Sequence, residues 1–370
     1  MHIFEKKSLK MTTLRVVFNA GSLYEKEGRF GTMHLMEHLI CKSFDDMLDE
    51  LTKKNIKWNA STGAEYVSFY WTGLDSQLSP ELKEELVRRV LAIGCKTNVT
   101  DESFEKEKAT VLQEYRDCFD SPQNAVLLNT LRQKFNFYDA IGRYNDIEAF
   151  TIKDYEEVRK EFFSNPARII EIGPRKSDLS FVKFEESRHE FAKLKYKDKW
   201  NYDFEEVGSS EKSLVQVIGK KLVKKSDYPF LKVALEMLNS GLESPLYKEI
   251  REKRGLSYYS IASLMTLLSD SVCIFYAATS KEKADELGSV YDNFFKDVTK
   301  YLTKERFDDI MNAYAIAKEE QKILRYSHIS DLVRKGDVDM PKNLKKITYE
   351  RVVEVAEKYL NDNNLKTIIG

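Results

Sequence analysis

Two of the five histidines in this 370-residue chain fall within His34-Leu35-Met36-Glu37-His38. On a helix, positions i and i+4 share a face, so both imidazoles leave the same side. That separation lets two rings reach one metal ion. Glu37 lies on the same side, placed to handle a proton on a metal-bound water. The order H-x-x-E-H inverts the H-E-x-x-H arrangement and keeps its mechanics. The plain alternative is a pair of surface histidines flanking a glutamate on a solvated turn. A catalytic zinc site needs three protein ligands and an open position for water, so the pair requires a partner.

The best candidate partner is Glu114, in the stretch that begins at Thr100 and runs through Glu107 to Tyr115. Thr100 is a natural N-cap, and the acids just after it suit the positive end of a helix. Glu107 and Glu114 are seven positions apart and so share a helix face. Spacing alone reads either one as a solvated glutamate of a charged helix.

The elements that must carry these side chains are legible. Leu14 to Phe18 is an apolar, β-branched run expected to form a strand. Asn19-Ala20-Gly21-Ser22 is a loop signal. A helix through Met33, Met36, Leu39 and Ile40 then has an apolar side beside its histidines. Further on, Val67, Phe69 and Trp71 alternate with Tyr66, Ser68 and Tyr70, the period of a strand. Ser79-Pro80 opens a helix with the stripe Leu82, Leu86 and Val90, and Gly94 is expected to end it.

Taken together, H-x-x-E-H, a later glutamate and a second glutamate seven positions before it resemble the insulinase/pitrilysin family of zinc metallopeptidases. That family includes mitochondrial processing peptidase and short two-domain bacterial or phage members. The resemblance implies one zinc per chain, held by His34, His38 and Glu114. It implies Glu37 as general base and Glu107 as an acid that orients the ligands from behind. Asn59-Ala60-Ser61-Thr62, running into the strand from Glu65 to Trp71, is similar to the family's N-A-x-T segment. These four residues are therefore expected to bind substrate, with an edge strand taking up an extended peptide by β-augmentation. Ser244 to Tyr258 resembles the family's L-R-x-K-x-x-L-x-Y signature. Arg251 and Tyr258 match its arginine and tyrosine, which meet the substrate opposite the zinc and stabilise the oxyanion. The implied reaction is hydrolysis of unfolded peptides in a closed chamber by water that Glu37 deprotonates. The alternative is a non-catalytic scaffold or partner subunit of the same fold, although such relatives usually lose the zinc residues. The stretch from Leu39 to Lys57 is shorter than in typical members.

Composition agrees with a highly charged globular surface over ample cores. Hydrophobic residues make up 42% and aromatics 12%, while 59 Lys and Arg stand against 60 Asp and Glu for a net charge of −1. No basic excess points to nucleic acid. No run has transmembrane length, and the N-terminus lacks an apolar secretory core. The expectation is a cytoplasmic protein without a membrane partner. Cys41, Cys95, Cys118 and Cys273 form no C-x-x-C pair and read as reduced, mostly buried thiols.

The chain reads as an internal duplication. Phe150-Thr151-Ile152-Lys153-Asp154 through Val158 aligns without gaps on Ile347-Thr348-Tyr349-Glu350-Arg351 through Val355, and the match runs on to Gly173 and Gly370. Each copy reads as a Thr-capped helix, a turn and a short apolar strand. The expected fold is α+β: two homologous domains, each a mixed or antiparallel sheet packed against helices. Residues 1–175 would form the zinc domain, 176–205 a polar linker, and 206–370 the second domain with Arg251 and Tyr258. The second copy's helix around Phe230 to Leu238 has no histidine, so the metal site belongs to the first. The family encloses its chamber with four such domains; two per chain imply a homodimer.

Overall fold

The computed structural model describes residues 1–6, 8, 10–92, 99–185, 196–197, 212–266, 271–324 and 346–370. Contacts divide the chain into two compact units: 1–118 with 137–192, and 119–136 with 193–370. Both are α+β.

The first unit is built on strands β1 (His2–Lys6), β2 (Met11–Phe18), β3 (Lys57–Thr62), β4 (Val67–Leu74) and β5 (Arg168–Gly173). Their order is β1-β5-β2-β4-β3. β1 pairs with β5 in parallel and the other neighbours are antiparallel, so the sheet is mixed. β2 is central, and Leu14, Val16 and Phe18 on it are wholly buried. The helices are α1 (Thr32–Cys41), α2 (Leu48–Lys53), α3 (Pro80–Leu91), α4 (Asp101–Phe119), α6 (Tyr144–Ala149) and α7 (Ile152–Phe162); α5 (Pro122–Phe135) falls in the second unit.

Local signals explain the helix ends. The Ser79 hydroxyl accepts from Leu82 N and Pro80 takes the first turn of α3, as its sequence predicts. The far end differs. Ala92 turns left-handed at φ 52° and closes α3 before Gly94, which lies outside the described residues, as does Cys95. Thr151 and Asp154 form a capping box on α7. Of the three described cysteines only Cys273 is buried; Cys41 and Cys118 are half-buried, so the expected burial holds for one. Residues 176–185, inside the stretch read as a linker, lie on the first unit. Leu179 and Val182 are buried there, and Asn19 Nδ2 donates to Glu185 at 2.7 Å.

The second unit has strands β6 (Lys212–Gly219), β7 (Ser260–Thr266), β8 (Ser271–Ser280) and β9 (Leu365–Ile369), in the order β7-β8-β6-β9. Read from the other edge, β9-β6-β8-β7 matches β5-β2-β4-β3, and every pairing is antiparallel. Helices α8 (Tyr228–Asn239), α9 (Pro245–Tyr247), α10 (Ala284–Lys296) and α11 (Lys304–Leu324) follow, with a C-terminal helix Tyr349–Leu360 capped by Thr348. The shared strand order is the structural form of the duplication. α5 packs on β6, where Gln216 Nε2 donates to Thr130 Oγ1 at 2.9 Å.

Two charged networks hold these layers. In the first unit Lys83 of α3 meets Glu171 of β5 at 2.7 Å with both side chains wholly buried. His2 and Ser177 also bind that carboxylate. Burial alone would raise Glu171, but bonds from His2, Lys83 and Ser177 overcome it and hold the group at about 2. The second device recurs in both units. Each joins the start of its first long helix to its last helix by a salt bridge. Arg29 meets Asp154 at 2.8 Å in the first unit. In the second, buried Asp227 meets Arg351 at 2.9 Å and Lys358 at 2.6 Å.

Candidate metal centre

The histidine helix α1 is anchored at its N-terminal end. Met33, Leu35, Met36, Leu39 and Ile40 are buried beneath it. Its N-terminal N–H groups have no partners within the helix and need acceptors. Glu25 supplies two: Gly31 N donates to Oε2 at 2.9 Å and Met33 N to Oε1 at 2.7 Å. Asp146 accepts from Phe30 N at 2.9 Å. Burial pushes Glu25 up to about 8 against those backbone donors. Gly31 sits at φ 96°, and a Cβ on it would come within 2.8 Å of Ile147. Gly142 packs on it so closely that a Cβ there would lie 2.1 Å from the Gly31 Cα. Only two glycines allow this crossing.

From this anchored helix the His34 and His38 rings project together, edge to face with centroids 4.8 Å apart. Glu114, on α4, comes to meet them. Its Oε2 lies 3.4 Å from His34 Nε2, and its Oε1 lies 3.8 Å from His38 Nε2. One donor atom from each of the three residues falls within 4.8 Å of the others, and among the described residues this is the single such cluster. A tetrahedral zinc with bonds of about 2.0–2.2 Å keeps its donors roughly 3.3–3.6 Å apart, so the residues present fit the ion. Burial and the neighbouring His38 push His34 down to about 4, leaving it neutral with a lone pair at neutral pH.

Glu37 lies outside the three-donor set. Thr62 Oγ1 donates to Glu37 Oε2 at 2.6 Å. Burial raises the Glu37 carboxyl above the ordinary glutamate value; the Thr62 bond and His38 oppose the rise, and Glu114 adds to it. A raised carboxyl suits a group that must take and return a proton. Glu107 is buried behind His38, with Oε2 3.3 Å from His38 Nδ1. That contact directs Nε2, the other ring nitrogen, toward Glu114. Glu107 Oε1 lies 3.0 Å from Lys42 Nζ, a residue the sequence reading did not single out.

Among the described residues β3 forms one edge of the first sheet, beside α1. Asn59 and Ser61 point to solvent while Ala60 and Thr62 are half-buried. The structure therefore brings Thr62 to Glu37 and leaves the rest of Asn59–Thr62 along that edge. In the second unit, Arg251 lies on one turn of π-helix, Lys248–Glu252. Its guanidinium stacks 4.0 Å over the Tyr258 ring and donates to the Tyr258 carbonyl at 3.3 Å. Tyr258 is 75% exposed.

Residues 3–141 match the family model for insulinase (peptidase family M16), and residues 150–314 match the model described as the peptidase M16 inactive domain. The chain belongs to the M16 family. A zinc protease, PqqE, of Helicobacter pylori is 22% identical over 95% of this chain and 86% of its own length. An uncharacterized zinc protease of Rickettsia bellii is 23% identical, over 80% and 74% respectively. Among solved structures, a Helicobacter pylori protease superposes with a TM-score of 0.81 at 18% identity, covering 100% of this chain and 96% of that one. A Pseudomonas fluorescens structure of the peptidase M16 inactive domain gives 0.75 at 15% identity, covering 100% and 94%. These structural likenesses carry the M16 fold. Within it, the cluster lies in the unit matching the insulinase model, and α8 of the second unit has no histidine.

Proposed function

We propose that this M16 chain is a zinc-dependent endopeptidase acting on extended, unfolded peptides. The observation that carries the reading is the convergence of His34, His38 and Glu114, with Glu37 held beside them but outside the donor set. His34, His38 and Glu114 would hold the ion. Bound zinc supplies acidified water and a Lewis acid for the scissile carbonyl. Every other step falls to the chain. The edge of β3 pairs with the peptide backbone, as edge strands do with extended ligands. Glu37 takes the proton of the attacking water and returns it to the leaving amine. Thr62 holds Glu37 in place between those two transfers. Glu107 holds His38 Nδ1, which would leave Nε2 free to hold the ion. Arg251 and Tyr258 stabilise the oxyanion, and the exposure of the Tyr258 ring supports a role toward a bound molecule. In this reading a homodimer completes the chamber.

The deciding experiment combines metal content with cleavage. Purified protein should hold close to one zinc per chain, and a chelator should abolish hydrolysis of a peptide library. His34→Ala and Glu114→Ala should lose the metal. Full zinc occupancy in Glu114→Ala would remove that residue from the ligand set.

A further inference from the structure

We propose that Lys42 is a positioning residue for the zinc site, acting through Glu107. The inference rests on the zinc reading above. The three donors come from two elements: His34 and His38 from α1, and Glu114 from α4. The spacing of those helices sets whether one ion can be reached by all three. Lys42 is the first residue beyond α1, at its C-cap. Its ammonium lies 3.0 Å from Glu107 Oε1, on α4. It also donates to Asp45 Oδ2 at 2.8 Å, in the 3-10 turn that continues from α1. Glu107 Oε2, on the same carboxylate, lies 3.3 Å from His38 Nδ1.

Asp45, Lys42, Glu107 and His38 thus form one line of contacts from the end of α1 to α4 and back to α1. Each Glu107 oxygen has its own partner. Without Lys42, one oxygen of a carboxylate whose side chain is only 12% exposed loses its partner. Glu107 could then turn toward water, and the His38 ring would lose the contact that orients it. Partners behind a metal ligand commonly change metal affinity 10–100-fold.

Simple charge repulsion predicts the opposite sign. An ammonium near a divalent cation repels it, so removing Lys42 should tighten zinc binding. Positioning predicts that removal weakens it. The sign of one measurement separates the two.

Zinc dissociation constants would be measured by competition with a chromophoric chelator for wild type, Lys42→Met, Lys42→Arg, Glu107→Gln and the Lys42→Met/Glu107→Gln pair. The expected result is a dissociation constant about 10–100-fold higher in Lys42→Met, with most of the affinity kept in Lys42→Arg. The double variant should lose no more than Glu107→Gln alone. The metal-free proteins should all remain folded and melt cooperatively, which separates positioning from a general loss of structure. Lys42→Gln serves if Lys42→Met does not fold. Equal or tighter zinc binding without Lys42, or additive losses in the double variant, would overturn the proposal. Wild-type protein that takes up no zinc would instead overturn the zinc reading itself, and this proposal with it.

Discussion

On the proposed reading Glu37 and the two histidines that flank it do different work, so their substitutions should separate. Glu37→Gln keeps the size and the Thr62 bond but cannot accept a proton. It should retain zinc and peptide binding while turnover falls at least the 10²–10⁴-fold typical of general acid–base catalysis. Near-normal turnover with zinc in place would sink the assignment. The histidines were readable because i and i+4 share a helix face, a purely local fact. Glu114 was not, since α4 carries many exposed acids and nothing in its spacing marks one of them; the resemblance to a family chose it. The sequence reading expects Thr62 to bind substrate and does not foresee its bond to Glu37, which spans 25 positions. Lys42 and Glu25 escaped notice for the same reason. Their importance lies in partners that only the folded chain brings near.

At the level of elements, capping chemistry was the reliable guide. Thr151, Thr348 and Ser79 all cap where the sequence places them. Features that depend on close approach were hidden: the Gly31–Gly142 crossing, Ala92 in the left-handed region, and α5 packing on the second sheet. The buried Lys83–Glu171 pair joins α3 to β5 and gives a stability test. Lys83→Met would take the ammonium partner from a buried carboxylate, leaving only His2 and Ser177 on it, and should cost up to about 3–5 kcal/mol in denaturant unfolding at pH 7. Replacing both partners with apolar residues should cost much less. The pH dependence follows from the direction of the Glu171 shift. Its folded value, about 2, lies below the ordinary glutamate value of 4.5, so its contribution is complete above about 4.5 and drains as pH falls toward 2. Lys83→Met should flatten that part of the acid unfolding profile. An unchanged profile would show that other carboxylates govern acid stability.

For the whole molecule, the two ends of the duplication aligned in sequence, but the repeated strand order emerged only once the sheets were paired, because few identities survive between the halves. Among the described residues the donor cluster lies in the first half, so a shared site in a homodimer can be tested by mixing lesions. Glu37→Gln and Tyr258→Phe chains, each expected to be nearly inactive on the proposed reading, would be co-expressed. If Tyr258 serves the partner's zinc site, a mixed dimer has one intact site, and activity should return to about a quarter of wild type under random pairing. Purified mixed dimers no more active than their parents would exclude sharing. The salt bridges at the helix starts bear on how such a chain avoids confusing its own copies. Asp154 and Arg351 occupy equivalent positions in the aligned halves, yet their charges are opposite, as are those of Arg29 and Asp227. Were the last helices to trade places during folding, Asp154 would face buried Asp227 and Arg351 would face Arg29. Like charges so placed disfavour the exchange, chiefly at buried Asp227 and less between the two half-exposed arginines. We infer that the reversed polarity works as an address on each half. A chimera carrying residues 349–359 in place of 152–162 should melt below wild type and recover in part with Arg29→Asp; no recovery would strip the charges of that meaning.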